Sequence, residues 1–290
     1  SAYSILQYTP ADDLGGEAAL EKLQCRLAAK GIALTCDMVP NHSGMDNSWM
    51  FEHPDRYIYT EVNPDRNFAF DTPNLSENPA GEIYLEKGYY DQSAAAEVFK
   101  LVLHQDHQTR YVYHGNDGTS MPWNDTAQLN YLNPETRRAV LEEIVRVAQQ
   151  FPIIRLDAAM TLTRKHFKRL WFPAAGAEQF IPTRDAFSLS DDEFDRLMPH
   201  EFWAEVIREL ALKAPRTLLI AEAFWLTEHF FINRIGMHRV YNSSFMHHLL
   251  NENNREYRGY LKSILLKDPA MLERFVNFLT TPDELPAILQ

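Results

Sequence analysis

Residues 152–162 read PIIRLDAAMTL, and the reading of that stretch decides the fold. Ile153 and Ile154 lead into Arg155 and Asp157, and a helix-like segment follows from Thr163, which predicts a short buried strand with charge at its exit. In a parallel α/β arrangement both faces of a strand are covered, so polar side chains gather where the strand emerges at its C-terminal end. Arg155 and Asp157 stand two residues apart and point to the same side. A guanidinium beside a carboxylate favours the ionised acid, which is the state a nucleophilic carboxylate needs. Read alone, the same pair serves equally well as a structural ion pair closing a strand end.

Around this stretch, 290 residues leave room for one large α/β barrel or two ordinary domains. With 45% hydrophobic and 23% charged residues and no apolar run long enough to span a bilayer, the composition predicts a globular chain without a membrane partner. A formal charge of −12 argues against nucleic acid and other polyphosphates, which need clustered Lys and Arg, and favours neutral substrates. The two cysteines, Cys25 in an expected helix and Cys36 in an expected buried strand, do not suggest a disulfide framework. Ser1 leads straight into SAYSILQY with no signal peptide, so the cytoplasm is expected, although the amino terminus looks truncated. Oligomeric state is not legible.

In chain order, Tyr3 to Gly16 reads as a loop. Glu17 to Lys30 places Leu20, Leu23 and Leu27 on one helical face, with Gly31 as its stop, and predicts an outer helix packed on a sheet. Ile32 to Val39 follows as a continuous apolar strand carrying Asp37, closed by PNHSG. From Ser43 to about Asn130 the alternation stops and Asn, Asp, Pro and aromatic residues dominate, which predicts a small excursion domain between a strand and its helix. Its aromatics, Trp49, Tyr57, Tyr59, Phe68, Phe70, Tyr89, Tyr90 and Trp123, read mostly as that domain's own core, with sugar platforms as the alternative. Asn133 and Pro134 then form an N-cap and first-turn pair before a helix with Val140, Ile144 and Val147 on its buried stripe. Beyond the opening strand come a helix near Arg164 to Trp171, a loop insertion to about Pro199, and a helix from Glu201 to Lys213. A strand at Thr217 to Glu222, a shorter one near Arg239 to Ser243, a helical region around His247 to Leu266 and a strand from Arg274 to Leu279 complete the order. Five strands with helical material between them imply parallel pairing with right-handed crossovers. A doubly wound sheet fits that count; a (β/α)₈ barrel fits it only with pieces missing.

Asp37, Asp157, Glu222 and Asp283 each lie at or just past the end of an expected strand. In a barrel those ends converge on one mouth, so four acids would share one pocket. Paired carboxylates are the machinery of glycoside hydrolysis, one ionised and one protonated. The alternative is a Mg²⁺ site, against which stands the arginine two residues before Asp157, a competitor for that ligand.

Four segments, DMVPNH (Asp37 to His42), RLDAA (Arg155 to Ala159), LLIAEAFW (Leu218 to Trp225) and VNFLTTPDE (Val276 to Glu284), occur in the order and approximate spacing of the four signature regions of the α-amylase family, glycoside hydrolase family 13. SAYSILQYTPADDLGG is similar to the loop after that family's second barrel strand, and AQLNYLNPE to the short signature late in its excursion domain, so the resemblance covers nearly the whole chain. It implies an incomplete (β/α)₈ TIM barrel holding family strands three to seven: residues 1–42 and 131–290 as the partial barrel, residues 43–130 as the domain inserted after the third strand. Such a chain reads as a fragment, with unpaired strand edges and uncovered apolar faces expected.

The implied activity is a retaining glycoside hydrolase or glucanotransferase acting on α-glucosidic bonds of α-linked oligo- or polysaccharides, with no cofactor. The competing class is a non-catalytic carbohydrate-binding or scaffolding relative, which would be expected to lose one of the three acids; all three are present. The resemblance implies Asp157 as nucleophile, Glu222 as general acid and base, and Asp283 as the third acid stabilising the distorted sugar. Arg155 would orient the nucleophile, His42 would donate to the sugar beside the scissile bond, Tyr3 would stack on that ring, and Asp37 and Asn41 would be structural near the site. Without the resemblance, His42 reads as a loop histidine bonded to backbone and Tyr3 as a rim packing residue. Four positions depart from the family pattern: Pro282 replaces a histidine, Met160 and Thr161 replace the Lys and His that commonly follow the nucleophile's two alanines, and Gln128 replaces the aspartate of the excursion signature. The calcium that many relatives hold would fall to Asn41, Gln128 and Thr161, a set without a carboxylate, so no metal is expected.

Overall fold

A computed structural model describes the chain except for residues 94–95, 119–120, 178–180, 225–226, 242–247, 249–252, 267 and 279–290. Among the described residues the strands are β1 (Thr35–Met38), β2 (His42–Gly44), β3 (Tyr59–Thr60), β4 (Gly81–Leu85), β5 (Val98–Leu103), β6 (Thr109–Tyr113), β7 (Thr126–Gln128), β8 (Ile153–Leu156), β9 (Leu218–Ala221), β10 (Arg239–Tyr241) and β11 (Phe275–Val276). One sheet has the order β1-β8-β9-β10-β11, and every pairing in it is parallel. Strands therefore stand side by side in the order in which the chain makes them. A doubly wound sheet reverses direction at a switch point, and this one does not. Together with the helices before β1, β8, β9 and β11 this is the wall of an incomplete (β/α)₈ barrel.

The helix Pro134–Gln150 begins as its sequence requires: the Asn133 side chain accepts from the Glu135 N–H, and Pro134 fills a first-turn position where its missing donor costs nothing. Val140, Ile144 and Val147 are all buried. It packs against the helix Phe202–Lys213, whose Phe202, Trp203, Val206 and Leu210 are buried in turn. The stretch expected as a plain loop before Pro199 contains a 3₁₀ turn at Pro182–Phe187 and a helix at Asp191–Leu197. That helix starts with a capping box, Ser190 and Glu193 each satisfying the other's backbone, a signal the strand-and-helix periodicity passed over.

Three expectations need correction. The helix Gly16–Ala28 forms but buries no residue, and Leu23 is 42% exposed. β1 is shorter than the apolar run Ile32 to Val39 and is not buried along its length: Ile32 is 52% exposed, Thr35 and Asp37 are exposed, and only Met38 and Val39 are inside. The reason is position, because β1 is at the edge of the sheet and pairs with β8 alone among the described strands. The last strand is likewise shorter than expected, and Leu279 lies outside the described residues.

Between residues 42 and 128 the sheets are antiparallel. β3, β6, β5 and β4 form one four-stranded sheet, and β2 pairs with β7 so that the segment leaves and returns side by side, His42 opposite Gln128. β4 alternates buried and half-buried residues, as a sheet covered on one face should. Tyr57, Phe99 and Tyr113 are fully inside, while Tyr89 and Tyr90 are exposed.

Candidate active site

Arg155 is the centre of the site. On β8 its register partners are Asp37 on β1 and Ile220 on β9, so it stands between two strand ends that both deliver acids. It is buried, and Nη1 donates to Asp37 Oδ2 at 2.9 Å, to Asp157 Oδ1 at 2.9 Å and to the Tyr3 hydroxyl at 3.3 Å, while Nη2 donates to Glu222 Oε1 at 3.0 Å. The Tyr3 hydroxyl in turn donates to Asp37 Oδ2 at 3.1 Å. Two tyrosine rings face the guanidinium, with centroids 5.6 Å (Tyr3) and 5.1 Å (Tyr241) from its central carbon. Burial alone would loosen the arginine proton; the charges of Glu222 and Asp157, with Tyr241 and Asp37, more than offset it and hold the pKa above the ordinary arginine value. A buried cation with this many acceptors is compensated, and removing any one acid leaves the rest in imbalance.

The turn after the strand aims the second acid. The Asp157 N–H bonds Met38 O at 2.9 Å, and Ala158 then adopts a left-handed conformation, φ 47°, which costs a non-glycine residue about 1 kcal/mol. In that conformation the Ala158 N–H reaches Glu222 Oε2 at 2.6 Å. The turn is held by its surroundings: Thr161 Oγ1 donates to Ala158 O at 2.6 Å, and buried Trp203 donates from Nε1 to Ala159 O at 2.8 Å. Glu222 is thus fixed through both oxygens, one on Arg155 and one on the backbone beside Asp157.

These groups open into a cleft of about 460 Å³ whose walls include Tyr3, His42, Trp123, Asp125, Asp157, Met160, Glu222 and Phe224. His42 is buried with its ring 5.0 Å from that of Trp123, and burial lowers its pKa to about 4, so it is a neutral imidazole at pH 7.

Of the residues singled out from sequence, Tyr3, Asp37, His42, Arg155, Asp157 and Glu222 come together here, and Asn41 lies behind His42, its Nδ2 3.4 Å from the ring Nδ1. Tyr3 lines the cleft, but its hydroxyl is engaged with Asp37 and Arg155. Asp283 and Pro282 lie outside the described residues. Arg155, expected beside the nucleophile only, bridges both acids. Trp123, read from sequence mostly as core of the excursion with a sugar platform as the alternative, lines the cleft, whereas sequence reasoning missed the Ala158 N–H, Phe224 and Tyr241. A search for strand-end acids passes over aromatics, although Tyr241 ends β10 and Phe224 closely follows β9.

The residues that would face a calcium ion do not fit one. Gln128 offers an amide nitrogen rather than a carboxylate, Thr161 is engaged with Ala158 O, and among the described residues no three His, Cys, Asp or Glu side chains are placed to hold a metal.

Among similar solved structures are an α-amylase from H. orenii (TM-score 0.55, 16% identity, covering 96% of this chain and 48% of that one). A debranching enzyme from Nostoc punctiforme is similar to this chain as well (0.54, 16%, 96% and 50%), as is an α-amylase from Lactobacillus plantarum (0.51, 15%, 96% and 49%). The chain thus spans about half the length of the structures it resembles, and at these identities the likeness is one of fold. No curated protein matches the sequence. The family profile of the α-amylase catalytic domain matches residues 1–276, nearly the whole chain and all of the strands described above, and the chain therefore belongs to the α-amylase catalytic-domain family.

Proposed function

We propose that this chain is the catalytic part of a retaining glycoside hydrolase or glucanotransferase acting on α-glucosidic bonds of α-linked oligo- or polysaccharides. The observation that carries this reading is a single guanidinium, Arg155, bonded to Asp157 through one nitrogen and to Glu222 through the other at the mouth of a parallel sheet. Retaining catalysis needs two carboxyl groups close together in one cleft, one to attack and one to deliver a proton. Asp157 attacks the anomeric carbon while Glu222 protonates the departing oxygen. Water or a second sugar then resolves the glycosyl-enzyme, with Glu222 as base. Asp283 is the third acid, Tyr3 and His42 contact the sugar, and Asp37 holds Arg155. His42, neutral at pH 7, keeps its donor without adding charge to a site for a neutral substrate. Similar structures include one soaked with acarbose and a cyclic α-maltosyl-(1→6)-maltose hydrolase in complex with maltose, which supports an α-linked sugar. Residues 1–42 and 131–290 form the barrel part and residues 43–130 the inserted domain. Neither cysteine is in a disulfide, which suits the cytoplasm.

The test is made in the full chain on an α-glucosyl fluoride, whose leaving group needs no proton. Asp157→Asn abolishes turnover on every substrate; Glu222→Gln still forms the covalent intermediate, which mass spectrometry detects. Equal loss in both variants on the fluoride, with no trapped species, would sink the assignment of roles.

A further inference from the structure

Asn41 and Gln128 are wholly buried and stand 87 residues apart in sequence. Asn41 is in the loop between β1 and β2, and Gln128 ends β7 opposite His42. Gln128 Nε2 lies 2.9 Å from Asn41 O, 3.1 Å from Asn41 Oδ1 and 3.2 Å from Leu129 O, while Asn41 Nδ2 donates back to Gln128 Oε1 at 3.3 Å. Three oxygens from two distant stretches therefore converge on one nitrogen whose two hydrogens they share. Convergence of oxygens on a buried point is what holds a hard cation, but calcium takes six to eight oxygens at about 2.3 to 2.6 Å. Here the oxygens are three, uncharged and 2.9 to 3.2 Å from the point they surround.

We propose that the Gln128 carboxamide stands where a divalent cation could bind and takes over its joining role, tying the loop after β1 to the strand that returns from the excursion with no ion. The same pair reaches the site. Asn41 Nδ2 also lies 3.4 Å from His42 Nδ1, and because an amide nitrogen only donates, this contact is met by the tautomer with its proton on Nε2. Asn41 and Gln128 are positioning residues for His42. None of this rests on the proposed reaction.

The experiment is thermal unfolding of the full chain with EGTA and with added CaCl₂. Wild-type Tm is the same in both. Gln128→Leu, which keeps the volume and strips three buried oxygens of their donor, lowers Tm by roughly 5 °C in both conditions. Gln128→Asp is one methylene shorter and swaps donor for carboxylate, opening space for an ion among four or more oxygens. It loses stability in EGTA and regains it in calcium, and it binds calcium by titration calorimetry where wild type does not. A wild-type Tm that rises in calcium and falls in EGTA overturns the proposal, as does a Gln128→Leu protein as stable as wild type. A Gln128→Asp protein insensitive to calcium, folded or not, overturns it too.

Discussion

β1 and β8 are adjacent, parallel and in register, each with an aspartate at or just past its C-terminal end, and the chain treats them differently. β8 has sheet partners on both edges, and its Ile154, Arg155 and Leu156 are buried; β1 has one partner among the described strands, and Thr35 and Asp37 face solvent. The Asp37 side chain is 39% exposed and that of Asp157 9%, although both accept from the same Arg155 nitrogen. Equal bonds of 2.9 Å thus differ in worth, because water screens one of them and not the other.

The largest expected effect tests that inequality directly. With Asp157 as the proposed nucleophile, Asp157→Asn in the full chain should lower kcat by at least about a thousandfold, whereas Asp37→Asn, which would act only through Arg155, should cost about tenfold. Similar losses for the two would mean that Asp37 touches the reacting groups.

A smaller effect concerns the histidines beyond the exposed strand. His42 and His114 are both buried, His114 with Nδ1 2.9 Å from Thr126 O, and burial lowers each pKa to about 4 from an unfolded value near 6.5. The unfolded chain therefore binds more protons between those values. Their contribution to stability is full above about pH 6.5, falls as pH drops, and is gone below about pH 4, with a ceiling of about 3 kcal/mol each. Urea midpoints at pH 7 and pH 4.5 should show a steeper loss for wild type than for His114→Gln. Parallel losses would show that His114 is protonated in the folded state.

The smallest effect separates two helix faces that look alike in sequence. Ile144→Ala, in the covered helix Pro134–Gln150, should cost about 2 to 4 kcal/mol in denaturant unfolding, and Leu23→Ala, on the uncovered helix Gly16–Ala28, less than about 0.5 kcal/mol. A Leu23→Ala cost near that of Ile144→Ala would mean that something covers this helix in the full chain.

Much of this protein is determined by its sequence alone. Asn133 and Pro134 start their helix through bonds that span only two residues, and the apolar runs at 153–156 and 218–221 become strands because periodicity and β-branched residues act locally. The order of parallel strands follows from alternation, since each helical crossover returns the chain beside the strand it left. The acids at the strand exits, Asp37, Asp157 and Glu222, are legible for the same reason. Tertiary structure alone decided the rest. A period marks which face is apolar but not whether anything covers it, so Ile32 and Leu23 look like core and are not. Arg155 could be paired with Asp157 across two residues, but its bond to Glu222 spans 67 and depends on how β8 and β9 align. The left-handed turn at Ala158, the Trp123 wall beside His42 and the amide pair of Asn41 with Gln128 have no local signature, because each exists only where two distant segments meet.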